Sequence, residues 1–223
     1  MEVEVEDLIA ALEGASKEER AGLTFYEGTL GPHEVVVVRA GIGKVAAGVC
    51  VSLLLDAFGC EAIINTGVAG AVAPELSIGD IVVSQDAVYH DVDVTALGYA
   101  LGHMPGQPAV FEASEPLATH LEAALASAVS PATRVVRGRI ATGDSFVASV
   151  GERERILAQT GAACCEMEGT ACAQVAHAHG ALWVVVRAMS DTASGESVTE
   201  YPQFEARMAH KLAQAVVACI KSL

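Results

Sequence analysis

The chain has 223 residues, 52% of them hydrophobic, a mean hydropathy of +0.42 and a formal net charge of −15 at pH 7. This content is enough to bury a sizeable core in one α/β domain spanning 1–223, and it excludes a disordered chain. The apolar runs fall short of the ~20 residues that cross a bilayer, and the acidic surface repels a phosphate backbone, so neither membrane insertion nor nucleic-acid binding is expected.

The N-terminus, MEVEVEDLIAALEG, is acidic and lacks the basic start and apolar stretch of a signal peptide, so a cytoplasmic location is expected. From there the chain repeats one pattern, a β-branched run, then Gly or Asp, then an alanine-rich amphipathic stretch. Strands are predicted at Glu34 to Arg39, Ala62 to Asn65, Asp80 to Ser84, Arg134 to Thr142 and Leu182 to Ala188. Helices are predicted at Val45 to Phe58, Pro116 to Ala128, Gly151 to Thr160, Met167 to Gly180 and Tyr201 to Ser222. Strands that are apolar throughout and separated by helices imply a mixed or mostly parallel sheet covered on both faces, a three-layer αβα sandwich. Ligands bind beyond the carboxyl ends of strands in such sheets. The stretch from Val88 to Phe111 has no clean period and reads as a long functional loop.

Polar residues gather where that rule directs attention. The last predicted strand is apolar until Arg187, Ser190 and Asp191, which form either an Arg–Asp pair closing the sheet or part of a ligand site. CCEMEGTA places Glu166 and Glu168 two apart; in an extended segment they face the same way and Met167 the other. They are equally readable as acids favoured at a helix N-terminus. INTGVAGA follows an apolar strand, and Gly67 and Gly70 allow either a tight turn or close approach of a ligand to the backbone. GIGKVAAG misses the spacing of a dinucleotide fingerprint and reads as close backbone packing beside a small ligand. Six cysteines without CxxC spacing read as free thiols, HAH at His177 and His179 lacks HExxH context, and no metal or cofactor is expected.

Taken in order, GIGKVAAG, INTGVAGA, GDIVVSQDAVYHDVDVTALGY, GRIATGDSFV, EMEGTA and VVVRAMSD resemble the 5′-methylthioadenosine/S-adenosylhomocysteine nucleosidases of the nucleoside phosphorylase superfamily over nearly the whole chain. The resemblance implies a nucleoside phosphorylase-like fold. It also implies hydrolysis of the N-glycosidic bond of both nucleosides, releasing adenine and a 5-thio-substituted ribose in methionine salvage and methyl-cycle detoxification. By resemblance Asp191 is the acid that protonates adenine N7, with its carboxyl kept protonated by an apolar site or a bound purine. Glu168 takes the ribose hydroxyls, Met167 packs on the sugar, Arg187 helps hold the attacking water, and the main chain at Val147, after Phe146, reads the adenine edge. Ile42, Val68, Ala69, Gly70, Ser190, Ala193 and Tyr201 complete the expected pocket, Tyr201 near the 5′ side.

The resemblance also implies a homodimer in which Leu97 and Pro105 cross the interface to line the 5′ pocket of the other subunit. Glu4 matches the family's water-activating glutamate, but the apolar strand that precedes that glutamate in the family is missing here, so the natural start is expected upstream of Met1. Val68 stands where some relatives carry Ser, and Ala71 where Gly is common. A phosphorylase places Arg before the corresponding turn, where this chain has Asn65, so water is the expected nucleophile. An aminofutalosine hydrolase and a non-catalytic nucleoside-binding protein are the alternative readings.

Overall fold

The computed structural model describes residues 3–195 and 201–223. Helix α1 (Val3–Ala11) is followed by an antiparallel sheet of β1 (Glu13–Arg20), β2 (Leu23–Leu30) and β3 (His33–Val38). Helix α2 (Lys44–Asp56) leads into β4 (Ala62–Ala71) and β5 (Ile81–Tyr89), and a loop with one 3-10 turn at Thr95–Leu97 ends in β6 (Phe111–Glu112). Then come α3 (Glu115–Ala128), β7 (Val135–Thr142), α4 (Val150–Thr160), β8 (Cys164–Glu166), α5 (Gly169–His179), β9 (Leu182–Asp191) and α6 (Tyr201–Ser222).

The second sheet has the order β6-β5-β7-β8-β4-β9 and closes on itself through antiparallel pairing of β5 with β9. Its ladders are mixed: β5–β7, β7–β8 and β4–β9 run parallel, while β4–β8 and β5–β6 run antiparallel. The period-two alternation of the strands sorts their side chains between two cores. Val82, Trp183, Val185 and Met189 pack with α2 and α5, whereas Ile81, Val83, Val184, Val186 and Ala188 pack with α1, α3 and α6. Each valine, isoleucine or methionine among them contributes about 1.5–3 kcal/mol by leaving water. The helices therefore cover opposite sides of a central mixed sheet, as expected.

Local sequence explains the boundaries nearest the site. Helix α4 opens on Ser149, whose Oγ accepts the Glu152 N–H at 3.3 Å and donates to the Glu152 carboxylate at 2.9 Å, and it ends at Gly161 with φ 65°. The predicted helices recur within one or two residues, and α6 has the predicted bounds. Three expectations need correction. INTGVAGA makes no turn: β4 runs on to Ala71 because β9 accompanies it residue for residue from Ala62↔Leu182 to Ala69↔Met189. Strand β5 continues past Ser84 to Tyr89 because β7 pairs with it to Thr142. The acidic segment before Leu30, predicted as neither helix nor strand, folds as α1, β1 and β2, although β1 is almost entirely exposed and carries no apolar alternation to announce it.

The edge of β3 away from β2, and the edge of β4 away from β9 over Ala62–Ala69, carry no strand ladder among the described residues. Both edges line one cavity of about 1640 Å³. No described helix is long and apolar enough to cross a membrane.

Candidate active site

That cavity opens where β4, β8 and β9 bring their polar residues together. Ile42, Val68, Ala69, Gly70, Phe146, Val147, Met167, Glu168, Arg187, Ser190 and Asp191, all named from the sequence, line it. Ala193 does not. Leu97, 72% exposed, and Pro105 also lie outside it, on the loop between β5 and β6. The backbone of Glu4 belongs to α1 and that of Tyr201 opens α6, but both side chains lie outside the described residues.

Two carboxylates from one segment do different work. Glu166 is buried, and its Oε2 accepts the main-chain N–H groups of Glu168 (3.1 Å) and Gly169 (2.7 Å) as well as the Arg187 guanidinium, while Oε1 accepts the Thr142 hydroxyl. Arg187, 2% exposed, also donates to Asn65 Oδ1 at 2.5 Å. The Arg187–Asp191 pair offered as one sequence reading is therefore not formed; Glu166 neutralises Arg187 instead. Glu168, at the N-cap of α5, faces the cavity from the same side, with Oε2 3.9 Å from Arg187 Nη2 and Oε1 accepting the Gly43 N–H at 2.8 Å.

Asp191, at the end of β9, departs from expectation in its surroundings. Its Oδ1 receives Nη1 of Arg153 at 2.5 Å, and Ser190 Oγ lies 3.4 Å from its Oδ2. Its neighbour is thus a guanidinium and not an apolar wall. Gly70 makes this approach possible: a Cβ there would stand 2.9 Å from Asp191 Oδ1.

The rim is held by charge. Lys44 Nζ donates to Asp91 at 2.7 Å and lies 3.7 Å from Asp144, while the Lys44 and Asp144 N–H groups donate to Asp144 and Asp91 at 2.8 Å each. Burial alone would raise the Asp91 carboxyl, but the bonds from Lys44 and Asp144 outweigh it and hold the group below its ordinary value of 3.8. Next to it, burial pushes His90 below its ordinary range. The GIGK turn is thereby latched over the cavity by its lysine and by Glu168.

Sequence reasoning missed Arg153, Thr142 and the Lys44 latch as parts of the site, whereas it singled out Asn65 at the end of its predicted strand. Thr142 and Asn65 end predicted strands, a usable signal. In SVGERERIL nothing distinguishes Arg153 from Arg155; only the packing of α4, which buries Arg153 beside Ile156, selects it.

The family model described as the phosphorylase superfamily matches residues 1–221. A 5′-methylthioadenosine/S-adenosylhomocysteine nucleosidase from Shewanella halifaxensis is 41% identical over 224 residues, covering 100% of this chain and 96% of that protein. The structure of an S-adenosylhomocysteine nucleosidase from Streptococcus pyogenes in complex with 5-methylthiotubericidin superposes with a TM-score of 0.92 at 40% identity, covering 100% of this chain and 94% of that one. A futalosine hydrolase from Helicobacter pylori shares the architecture at a TM-score of 0.91 and 28% identity, covering 100% and 95% of the two chains.

Proposed function

We infer the function from one premise: the chain belongs to the phosphorylase superfamily and, within it, to the 5′-methylthioadenosine/S-adenosylhomocysteine nucleosidases. It is a hydrolase that cleaves the N-glycosidic bond of both nucleosides, releasing adenine and a 5-thio-substituted ribose. The observation that carries the assignment of roles is that Asp191 and Glu168 line the same cavity together with the Gly67–Gly70 segment.

In this reading Asp191 donates a proton to adenine N7 while the bond to C1′ breaks, because adenine leaves poorly as an anion. Glu168 accepts the ribose hydroxyls on the oxygen not bound to Gly43 and opposes the positive charge growing on the sugar. Met167 packs on the sugar, and the Val147 main chain beside Phe146 reads the edge of the base. Glu4 activates the water, Arg187 orders it from its fixed place against Glu166 and Asn65, and Ala193 and Tyr201 serve the pocket once substrate is bound. Water as the nucleophile is supported by the lining. Of the two arginines among the described residues that line the cavity, Arg39 and Arg187, Arg187 is already engaged by Glu166 and has Glu168 beside it, a poor cradle for a phosphate dianion.

The functional unit is a cytoplasmic homodimer. Support comes from large apolar side chains left exposed on the surface: Phe146 is 80% exposed, Val45 79%, Leu97 72% and Ile42 69%. Leu97 and Pro105 of one subunit then line the 5′ pocket of the other, and 1–223 acts as a single nucleosidase domain.

The test is adenine release from methylthioadenosine in phosphate-free buffer and again with phosphate, with Asp191→Asn alongside. Release that ignores phosphate and is lost in the variant is expected; release only with phosphate would make the enzyme a phosphorylase. Faster turnover of aminofutalosine in the same assay would move the substrate assignment to an aminofutalosine hydrolase.

A further inference from the structure

Asp191 has an unusual companion for a proton donor. Arg153 comes from α4, is 4% exposed, and reaches four acceptors on three separate segments. Its Nη1 lies 2.5 Å from Asp191 Oδ1 and donates at 3.1 Å to the carbonyls of Ala71, at the end of β4, and Thr192, just after β9. Its Nη2 donates at 3.2 Å to the carbonyl of Val147, in the turn before α4. Burying a guanidinium at such a junction is expensive unless its geometry is used. A strap between segments needs only the carbonyls; the direct bond to Asp191 is an additional feature.

We propose that Arg153 is a positioning residue for departure of the base: it occupies Oδ1 of Asp191, leaves Oδ2 as the oxygen that carries and delivers the proton, and sets the spacing between Asp191 and Val147. The proposal rests on Asp191 being the proton donor. As the C1′–N9 bond breaks, its electron pair goes to adenine, the Oδ2 proton passes to N7, and Asp191 is left as a carboxylate whose new charge faces Arg153. Water supplies hydroxide to C1′, its proton going to the Glu4 carboxylate, and solvent takes that proton from Glu4 and returns one to Asp191 before the next turnover. Arg153 thus meets a charge that is larger after proton transfer than before, the condition for an interaction to raise kcat. The Val147 carbonyl has two lone pairs, so it can accept from Arg153 and from the base edge together. One guanidinium therefore couples recognition of the base to the aim of the acid.

The experiment compares the full-length enzyme with Arg153→Gln and Arg153→Lys on two substrates, methylthioadenosine and 4-nitrophenyl 5-methylthioriboside, whose phenolate departs without a proton. The expected result is a fall in kcat of about 10- to 100-fold on methylthioadenosine, the scale of a misplaced catalytic group, with KM little changed, and near-unaltered turnover of the aryl riboside. Arg153→Lys keeps the charge and recovers part of the loss. In an Asp191→Asn background Arg153→Gln costs nothing further on methylthioadenosine. Equal loss on both substrates, or full additivity with Asp191→Asn, would reduce Arg153 to a structural strap and overturn the proposal. The aryl riboside also shows whether each variant is folded, and Arg153→Lys carries the comparison if Arg153→Gln is not. Should Asp191→Asn release adenine as fast as the parent enzyme, the reading of Asp191 falls, and the proposal with it.

Discussion

Removing the Glu166 carboxylate should cost more stability than any other single change at the site. In Glu166→Ala, Arg187 stays buried at 2% exposure with Asn65 and a Glu168 oxygen 3.9 Å away as its nearest compensation, while the Glu168 and Gly169 N–H groups and the Thr142 hydroxyl lose their acceptor. Breaking one side of a buried ion pair costs about 3–5 kcal/mol, a large part of a total of about 5–15 kcal/mol. Glu166→Gln differs in a calculable way. Its amide oxygen can replace Oε2 toward Arg187, Glu168 and Gly169, and its NH₂ can donate to Thr142 Oγ1, leaving mainly the charge lost at a cost of about 1.5–3 kcal/mol. Equilibrium urea unfolding reads both. With a slope of about 2 kcal/mol per molar, the midpoint should fall by about 1.5–2.5 M in Glu166→Ala and by about half that in Glu166→Gln. Midpoints within about 0.3 M of the parent for both variants would refute the placement of Glu166 as the counter-charge of Arg187.

Gly143→Ala should lower stability by about 1–3 kcal/mol through overpacking, because its Cβ would meet the buried His90 ring at 2.5 Å and Asp91 Cγ at 3.0 Å; a thermal melt reads it. Asp91→Asn should loosen the GIGK latch, raising KM and lowering stability at neutral pH by about 1 kcal/mol or less. Because the Asp91 carboxyl is held low when folded, its contribution is present above pH 3.8 and is lost as pH falls through the lowered value, so the gap between variant and parent should close in acid unfolding curves. Burial raises the thiols of Cys164 and Cys172 and pushes that of Cys165 up to about 12, so a disulfide reagent at pH 8 should modify the half-buried Cys60 first and the others only on unfolding.

What was legible in the sequence follows from what leaves a local signature. The β9 run from Leu182 to Asp191 declares its own burial, and the switch from valines to Arg187, Ser190 and Asp191 marks its carboxyl end, so strand and site could be located together. Helix α6 has a long apolar stripe and was bounded to the residue. Strand β1 has none: Glu13–Arg20 is held by pairing with β2, a non-local cause that composition cannot express. The same holds for Gly67 and Gly70, whose turn-like chemistry is overridden by the β9 ladder. Arg153 was invisible because its distinction is burial, and burial of one arginine among three charged neighbours is decided by how α4 meets β4 and β9. For the same reason sequence could not foresee that a guanidinium, Arg153, stands beside Asp191.

Among the described residues β4 is laddered on one edge only over Ala62–Ala69, and this has a signature in amide exchange. Successive N–H groups of a strand point to opposite edges, so from Ala62 to Ala69 alternate amides are tied to β9 and the others face the cavity. Strand β9 is flanked by β4 on one edge and, over Val186 to Ala188, by β5 on the other. Deuterium should therefore enter β4 as a comb, every second residue exchanging at the rate of an open cleft while its neighbours wait for global unfolding, whereas the middle of β9 shows no such tooth pattern.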